Sequence, residues 1–325
     1  MTVQQTLIKK LADGRFHSGQ QLANELGITR AAIWKHIKAI QLKGISIDAV
    51  RGKGYRWQNP QQLLDLAQIS SALPNDILDT VDIIIVDTID STNRYILKQL
   101  ENPINLTFIC LTESQSAGRG RRGRNWVSPY ASNLYLSIGW QHAEGPQSLA
   151  GLSLAMGVAV MRVLSSYSQT GIGLKWPNDI VADGRKLGGI LIEMAGDATG
   201  PCSIVVGLGL NIQMPPSHAS DIDQPWVDLS SLLGQSTPSR NKLAAELITH
   251  MCTIIKEYPQ VGFSHYQTEW QQWDQCHNKP VTIIQGEHQQ KETVVGVDQQ
   301  GNLLLKTISG IQSFNAGEIS LRAVS

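Results

Sequence analysis

Ser18, Gly27, Thr29 and Gly44 place two residues that can cap a helix start in alternation with two glycines that can end a helix, and this order predicts two successive helices. Ser18 can cap a first helix that ends at Gly27, and Thr29 can cap a second helix that stops at Gly44. The turn between the two helices is short and contains glycine, which is typical of a helix-turn-helix. The spacing therefore predicts a helix-turn-helix near the amino terminus.

The second of these helices has one apolar and one basic face. Ile33, Ile37 and Ile40 recur at helical spacing and are expected in the core. The second helix would therefore be a recognition helix that presents its basic face to the major groove. The basic-tipped hairpin around RGKG at 51–54 would be a wing. The residues predicted to contact DNA are Gln20, Arg30, Ala31, Trp34, Lys35, Lys38, Arg51 and Lys53.

The distribution of charge favours the same interpretation. Residues 1–60 hold ten Lys and Arg against three Asp and Glu, a formal charge of +7, whereas the whole chain is neutral. Such asymmetry suggests a nucleic-acid-binding module joined to a module of another kind. A basic face without a partner and a helical hairpin used only as a protein interface are the alternatives. Trp34 is unusual on a DNA-facing surface, where it would contact a thymine methyl group or pack against the wing.

The segment AGRGRRGRNW at 117–126 contains glycines in the pattern G-x-G-x-x-G. A dinucleotide-binding turn needs a helix directly after this pattern, so that the helix N-terminus meets the pyrophosphate. Here residues 133–138 follow as a strand, which argues against that fold. Guanidinium groups match carboxylate and phosphate oxygens, so the segment suits an anion clamp, with a solvated basic loop as the alternative. Its arginines are Arg119, Arg121, Arg122 and Arg124.

From about residue 62 the pattern changes to a mixture of strands and helices. Strands are expected at 81–86, 107–111, 133–138, 172–174, 188–194 and 203–210, and helices at 92–100, 147–165 and 241–258. The elements do not alternate strictly, which indicates a mixed α+β domain. Short strands at 280–285, 293–297, 303–307 and 310–314 then predict a small SH3-like β-barrel.

Polar clusters follow several of the central strands, at positions where loops commonly carry function. They are DSTN at 90–93, KWPND at 175–179, GRKLGG at 184–189 and GLGLN at 207–211. Each has an ordinary explanation, as a helix cap, a hairpin turn or a strand rich in glycine. Together with the arginine-rich segment they place lysines, arginines, amides and hydroxyls on different loops, which predicts a pocket for a polyanion.

The remaining features indicate a cytoplasmic protein without a membrane partner. The four cysteines are scattered without a C-x-x-C pair, which suits reduced thiols. The first residues lack the charged and apolar regions of a secretory signal. The longest apolar run, around residues 151–164, is too short to span a bilayer and is expected to form a buried helix.

These motifs resemble those of the bacterial biotin–protein ligases that also act as biotin-operon repressors. The resemblance covers nearly the whole chain and rests on SGQQLANELGITRAAIWKHI, RGKGY, DSTN, ESQSAGRGRRGRNW, KWPND, GRKLGGILIE, GLGLN and GEISLR. The order of GRGRRG, KWPND and GRKLGGIL is highly specific. Trp34 departs from the expected recognition helix, which leaves the operator sequence open.

The resemblance implies three domains. A winged helix-turn-helix would occupy residues 1–61, a mixed-sheet ligase domain of the biotin/lipoate ligase type residues 62–270, and the SH3-like barrel residues 271–325. A protein of this kind would dimerise with biotinyl-5′-AMP bound as co-repressor. The dimer would place two winged helices on two half-sites of operator DNA.

The resemblance also implies a two-step reaction. The carboxylate of biotin attacks the α-phosphate of MgATP, which gives biotinyl-5′-AMP and pyrophosphate. A lysine of the biotin carboxyl carrier protein of acetyl-CoA carboxylase then displaces AMP. Two anions must meet in the first step, so the site needs cations rather than a covalent nucleophile.

The same resemblance assigns roles to residues of the polar clusters. Lys186 would reach the biotin carboxylate and the α-phosphate, and Arg121 would restrain release of the intermediate, which makes these two the catalytic residues. Biotin would be bound by Ser91, Thr92, Asn93, Gln115, Arg119, Gly120, Arg121 and Lys186. ATP would be bound by Arg121, Asn178, Asp179, Lys186, Asn211 and Trp226.

Further expectations concern two aromatic rings, one arginine and the metal. Trp226 would stack on adenine, Trp126 would pack beside biotin or the arginine-rich loop, and Arg322 would take part from the C-terminal domain. Mg²⁺ would be held chiefly by phosphate oxygens and water, with no dedicated protein ligands.

Two other functions share parts of this pattern. A ligand-sensing transcriptional regulator without ligase activity would have the same amino-terminal domain. It would not need the phosphate-facing cations Lys186 and Arg121, however. A ligase that attaches lipoate would share the general fold, but GRGRRG and KWPND in these forms favour biotin.

Overall fold

Three β-sheets, of two, seven and five strands, organise the computed structural model. The structure describes residues 2–102, 106–168, 171–197, 200–285, 288–316 and 320–323. The two-stranded sheet belongs to the amino-terminal domain, the seven-stranded sheet to the central domain and the five-stranded sheet to the C-terminal domain.

The amino-terminal domain is a helix-turn-helix followed by a wing, as predicted. Its elements are α1 (Val3–Leu11), α2 (Gly19–Leu26), α3 (Arg30–Leu42), β1 (Ile47–Val50) and β2 (Gly54–Trp57). Both predicted caps are present, because the hydroxyl of Ser18 accepts from Gln21 N at 3.0 Å and that of Thr29 from Ala32 N at 3.2 Å. Gly27 ends α2 with a φ of 64°, in the left-handed region that favours glycine.

Helix α1 is an element that the sequence patterns above do not predict. It begins at a capping box, in which the side chains of Thr2 and Gln5 each accept from the other residue's backbone amide. Leu7, Ile8 and Leu11 of α1 are buried and share the domain core with the isoleucines of α3. Helix α1 therefore covers an apolar face that α2 and α3 leave open.

The central domain combines a mixed sheet with helices on both faces. Its strands are β3 (Val81–Ile89), β4 (Thr107–Gln115), β5 (Leu134–His142), β6 (Ile172–Lys175), β7 (Asp179–Ala182), β8 (Arg185–Gly196) and β9 (Cys202–Leu210). Its helices are α4 (Leu66–Ser71), α5 (Asn75–Leu78), α6 (Thr92–Gln99), α7 (Leu152–Leu164), α8 (Leu229–Leu233), α9 (Arg240–Val261) and α10 (Gln267–Trp273). The strand order is β3-β4-β5-β9-β8-β7-β6, with β3 and β4 parallel and the other neighbours antiparallel.

Helices α7 and α9 cover one face of this sheet, and α6 covers the other. Residues of α7 and α9 share the main core with Leu111 and Val206, whereas Ile96 of α6 packs with Cys110 and Val205. Neighbouring residues of a strand point to opposite faces, so the two cores lie on opposite sides of the same strands. The middle strands β4, β5 and β9 are thus covered on both faces.

The expected helix over 147–165 is wrong at its start. A 3₁₀ turn at Pro146–Leu149 precedes Gly151, whose φ of 80° keeps it outside α7. Turn and helix together make 19 residues that could cross a membrane by length and composition alone. Helix α7 itself has 13 residues and is the buried helix expected around 151–164. Because 67% of the 19-residue segment is buried inside the fold, it serves as a core helix of this domain.

The C-terminal domain is an antiparallel sheet in the order β13-β12-β11-β10-β14. Its strands are β10 (Pro280–Gln285), β11 (His288–Val297), β12 (Leu303–Thr307), β13 (Gly310–Phe314) and β14 (Ser320–Ala323). The segment before it is attached to the central sheet, because Gln275 N donates to Leu174 O of β6 at 2.9 Å. The C-terminal domain is thereby held against the β6 edge of the central sheet.

The amino-terminal domain also contacts the central domain. Tyr130 and Ala131, which follow the arginine-rich segment, are buried in the core of the amino-terminal domain. Lys43 after α3 lies 3.4 Å from a carboxylate oxygen of Asp87 in β3. The exact domain boundaries, predicted at 61 and 270, stay a prediction.

Candidate active site

The arginine-rich segment forms a closed loop between β4 and β5. We call residues 116–126 the glycine–arginine loop. Within it, Gly120 N donates to Arg124 O at 2.7 Å and Trp126 N donates to Gly118 O at 2.9 Å. A strand follows the loop rather than a helix, so the prediction that it is not a dinucleotide-binding turn is confirmed.

Arg121 ties the glycine–arginine loop to two other parts of the chain. Its guanidinium donates to Asn178 Oδ1 at 3.2 Å and to Ala316 O at 2.6 Å. Burial lowers the pKa of Arg121, and the neighbouring charge of Arg122 adds to this effect. The loop is therefore held by a partly desolvated cation between the KWPND segment and the C-terminal domain.

Arg119 holds the same loop to the central sheet. It pairs with the carboxylate of Glu193 in β8, with the nearest oxygen at 2.9 Å. Glu193 also accepts from Asn93 Nδ2 at 2.8 Å. The predicted clamp residue Arg119 and the predicted biotin-binding residue Asn93 thus share one carboxylate.

A cluster of buried neutral polar groups lies beside this carboxylate. Thr92 donates from its backbone amide and its hydroxyl to Gln115 Oε1, at 3.0 and 3.2 Å. Ser137 Oγ of β5 lies 2.6 Å from both Thr92 Oγ1 and Asn93 Oδ1, and Gln115 Nε2 donates to Ser128 Oγ at 3.2 Å. Hydroxyl and amide groups in such numbers suit a neutral ring with several hydrogen-bonding atoms.

The structure therefore brings together most of the predicted biotin-binding residues. Ser91 and Thr92 are buried at the start of α6, next to Asn93. Ser128, Ser137 and Glu193 belong to the same cluster and were not predicted from sequence. For Ser137 and Glu193 the signal would have been a polar residue at a strand position that faces the cluster, which becomes visible only once the strand register is known. Ser128 lies in the connection between β4 and β5 and carries no such signal.

Lys186 lies at the start of β8, where three motifs meet. Its ammonium group is 2.7 Å from Asp179 Oδ1 of the KWPND segment and 5.7 Å from the centre of the Trp126 ring. Its backbone pairs with the loop that carries Trp226, because Lys186 N donates to Pro225 O and Val227 N donates to Lys186 O, both at 2.9 Å. The predicted cation is thus partly buried between an acid and an aromatic ring.

A cleft opens beside Lys186. Trp126 and Trp226 stand in its wall with Asn211, which is itself buried and donates to Val227 O at 3.3 Å. The remaining lining residues are Asn125, Val127, Met214, Asp221, Ile222, Asp223 and Gln224. Two indole rings beside a lysine suit a planar base carrying a phosphate.

The predicted ATP-binding residues fall into two groups. Lys186, Asn211 and Trp226 line the cleft, whereas Asn178 and Arg121 contact one another outside its lining. Asn178 also donates from Nδ2 to Ile190 O at 2.7 Å. Asp179 links the two groups through its ion pair with Lys186.

The glycines of β9 allow two of these side chains to approach the sheet. A Cβ atom on Gly209 would lie 2.5 Å from Cε2 of the Trp126 ring. One on Gly207 would collide with the amide of Asn93. The prediction that something approaches the backbone of GLGLN is confirmed, and in this structure the approaching groups are two of the chain's own site residues.

The predicted DNA-contacting residues form an exposed surface on the amino-terminal domain. All eight are exposed, namely Gln20, Arg30, Ala31, Trp34, Lys35, Lys38, Arg51 and Lys53. Trp34 is 53% exposed, so most of its ring is open to a ligand. Arg56 and Lys53 of the wing lie over the ring of Phe16, at 4.7 and 5.8 Å from its centre.

Two further expectations concern the metal and the GEISLR motif of the C-terminal domain. In the described ranges, no group of three or more His, Cys, Asp or Glu side chains could hold a metal ion. Arg322 lies in β14, and its side chain falls outside the described part of the chain, as do Gly317 and Glu318 of GEISLR.

Comparison with known proteins assigns the chain to a family. The bifunctional ligase/repressor BirA of Salmonella typhimurium is 40% identical over 322 residues, which cover 99% of this chain and 98% of that protein. This chain belongs to the bifunctional ligase/repressor family. The protein of the same name from Escherichia coli is 39% identical over the same length.

Family models and solved structures agree with this assignment. Residues 3–56 match an HTH domain, residues 85–211 the biotin/lipoate A/B protein ligase family, and residues 277–322 the biotin protein ligase C terminal domain. The biotin protein ligase of Aquifex aeolicus in complex with biotin and ATP has a TM-score of 0.63 at 24% identity, covering 75% of this chain and 99% of that chain. The predicted fold class is confirmed.

Proposed function

We propose that this chain activates biotin with MgATP and attaches it to a lysine of the biotin carboxyl carrier protein of acetyl-CoA carboxylase. We propose further that the adenylate-bound protein dimerises and represses the biotin operon. The observation that carries the enzymatic part is the position of Lys186, between Asp179 and Trp126 at the edge of the cleft. The relatives named above supply the choice of biotin and of repression.

In the first step, a carboxylate oxygen of biotin forms a bond to the α-phosphorus of ATP. The bond from that phosphorus to the bridging oxygen breaks, and pyrophosphate leaves. Lys186 lines the cleft, where it can neutralise charge on both anions as they meet, and its ion pair with Asp179 orients its ammonium group. Mg²⁺ would arrive on the phosphates, where it neutralises charge on the leaving pyrophosphate.

Binding positions both reactants before any bond changes. The polar cluster of Thr92, Asn93 and Gln115 would take the ureido ring of biotin, whose donors and acceptors match hydroxyl and amide groups. Such a site rejects analogues without those groups, because its buried polar atoms would stay unpaired. Trp226 would stack on adenine in the cleft.

In the second step, the amine of the acceptor lysine attacks the carbonyl carbon of biotinyl-5′-AMP. AMP leaves with the bonding electrons, and the amine loses a proton as the amide forms. Arg119 and Arg121 hold the glycine–arginine loop on either side of the site, at Glu193 and at Asn178, and so retain the intermediate until the acceptor arrives. We place the reaction in the cytoplasm.

The repressor activity would use the exposed basic surface of the amino-terminal domain. Lysines and arginines at phosphates would supply affinity, and α3 would read bases in the major groove. A homodimer formed with biotinyl-5′-AMP bound would place two such helices on one operator, which raises affinity without new contacts.

ATP–pyrophosphate exchange tests the enzymatic proposal. The full-length protein with Mg²⁺ should exchange pyrophosphate when biotin is added and not with lipoate or without either acid. Lys186→Gln should reduce exchange by on the order of a hundredfold or more, because it removes the charge from the reacting phosphate. Arg185→Gln is the matched control, since Arg185 is exposed and neighbours Lys186 in sequence.

Folded protein that shows no exchange with biotin would refute the ligase and leave the ligand-sensing regulator. The repressor part is tested separately by sedimentation and DNA binding, with and without biotin and MgATP. A monomer–dimer equilibrium that does not respond to these ligands would contradict it.

A further inference from the structure

A buried ion pair lies behind the cleft, and the proposed reaction does not use it. Arg240 at the start of α9 and Glu113 in β4 are 3% and 4% exposed, and their nearest charged atoms are 2.7 Å apart. Placing two charges inside a protein costs several kcal/mol, and an apolar pair of similar volume is often equally stable. Stability alone therefore does not explain the pair, whereas its other hydrogen bonds suggest a role in positioning.

One branch of these hydrogen bonds holds the segment between the amino-terminal and central domains. Arg240 Nη1 donates to Gln62 O at 3.0 Å, and Leu64 N donates to Glu113 Oε1 at 2.6 Å. Asn241 adds a second attachment, since its side chain accepts from Asp65 N at 2.9 Å and donates to Leu63 O at 3.1 Å. We call residues 62–65 the linker. Its backbone is attached at four consecutive residues.

The other branch leads to the wall of the cleft. Arg240 donates from Nε and Nη2 to Asn133 O, at 3.1 and 2.8 Å. The side chain of Asn133 in turn accepts from Ile212 N at 2.9 Å and reaches Asn211 Oδ1 at 3.5 Å. Asn211 lines the cleft. The guanidinium of Arg240 thus contacts the linker directly, and it contacts Asn211 in the cleft wall through Asn133.

We propose that Arg240 is a positioning residue that couples the nucleotide cleft to the linker of the DNA-binding domain. A nucleotide that packs against Asn211 restrains Asn133, Asn133 restrains Arg240, and Arg240 with Glu113 restrains the linker. This inference rests on the proposed function, which supplies biotin and MgATP as the occupants of the cleft. The linker joins the winged helix to the ligase domain. Restraining the linker therefore restrains the position of the winged helix relative to the ligase domain.

Hydrogen–deuterium exchange of the linker amides in the full-length protein tests the coupling. In the wild-type protein, adding biotin and MgATP should slow exchange at residues 62–65 about fivefold or more, the lower range of typical coupling between sites. Arg240→Met, which keeps the length of the side chain, should abolish this response. It should also raise KM for ATP while kcat stays within about twofold, because it displaces a binding residue and no reacting group.

Two further variants separate the branches. Asn241→Ala removes the hydrogen bonds to the linker and to Gln68 of α4 and leaves the branch to the cleft in place, so it should speed linker exchange in the presence of ligands and leave KM for ATP unchanged. Arg162→Met breaks the ion pair of Arg162 with Glu269, at 2.7 Å on another part of the same domain, and should change neither quantity. If Arg240→Met does not fold, Glu113→Gln replaces it, because Gln keeps an oxygen acceptor for Leu64 N and removes the charge.

The inference is overturned if folded Arg240→Met or Glu113→Gln protein keeps the ligand response of the wild-type linker. It is also overturned if the wild-type protein exchanges pyrophosphate while its linker amides ignore the ligands, and the ligase proposal then still stands. Wild-type protein without pyrophosphate exchange removes the ligase proposal, and the inference falls with it.

Discussion

The side chains of Arg121 and Asn178 are joined by a hydrogen bond of 3.2 Å, although 57 residues separate them in the chain. The same guanidinium also donates to the Ala316 carbonyl of the C-terminal domain at 2.6 Å. A planar fork can serve both partners at once, whereas an ammonium group presents a single charged atom. Arg121 therefore holds three regions of the chain together.

Arg121→Lys should release the reactive intermediate faster than the wild-type protein does. Losing one charge-assisted hydrogen bond costs about 1.5–3 kcal/mol, which corresponds to a release rate about ten- to a hundredfold higher. The measurement is a chase of labelled biotinyl-5′-AMP from the preformed complex. Arg124→Lys in the same exposed loop is the control, and equal release rates for all three proteins would contradict the assignment.

Gly209→Ala should weaken biotin activation through Trp126. The added Cβ would lie 2.5 Å from the ring, so the indole must leave its place against β9 and beside Lys186. Overpacking of this kind costs about 1–3 kcal/mol, so kcat/KM for biotin should fall roughly five- to a hundredfold. In a Trp126→Leu background the same glycine change should cost much less, since the residues in contact do not act additively. Additive losses would show that the ring is not the affected group.

Trp34→Ala should weaken DNA binding without affecting pyrophosphate exchange. We expect the exposed ring to contact a thymine methyl group, so the wild-type protein should lose affinity when one thymine of its site is replaced by uracil. The variant should no longer distinguish the two bases. The DNA is selected by the wild-type protein from a random pool and tested at constant salt. Leu42→Ala is the control, because Leu42 is 89% exposed on the same helix. A variant that still discriminates would refute this role.

Asp274→Asn should increase the free energy of unfolding at neutral pH, and by a smaller amount in acid. Burial raises the pKa of Asp274 to about 6 from 3.8, and its Oδ2 has no hydrogen-bond partner within the described ranges. Protonated Asp274 thus favours the folded state below about pH 4, and this contribution is lost as the pH rises through about 6. The loss amounts to at most about 3 kcal/mol.

Urea unfolding of both proteins between pH 4 and 8 measures this difference. The gap in unfolding free energy should widen with pH and level off above about 6. A gap that stays constant over the whole range would mean that Asp274 does not titrate in this window.

Local signals in the sequence were enough to predict the helix-turn-helix. The caps at Ser18 and Thr29 and the stop at Gly27 act over three or four residues, and no distant contact is needed to place them. Strand β7 shows the opposite case. It has four residues between two turns, so no periodicity is visible, and only its pairing with β6 and β8 defines it.

The site was predictable in the cations of its glycine-rich motifs and much less in the charged residues that lie elsewhere in strands and helices. Lys186 and Arg121 stand in motifs rich in glycine, whose composition alone is unusual. Glu113, Glu193 and Arg240 occupy ordinary strand and helix positions. Their ion-pair partners lie 74 residues away for Glu193 and 127 residues away for Glu113 and Arg240, and these contacts depend on strand register and helix packing. No local sequence pattern predicts such a contact.

The glycine–arginine loop is fastened on two sides, by Arg119 to Glu193 of the central sheet and by Arg121 to Asn178 and Ala316. Opening it requires both attachments to break within the same short interval, so openings should be rare and should become much more frequent on warming. The residence time of the adenylate, rather than the speed of its formation, then decides whether water or the acceptor lysine reaches it first.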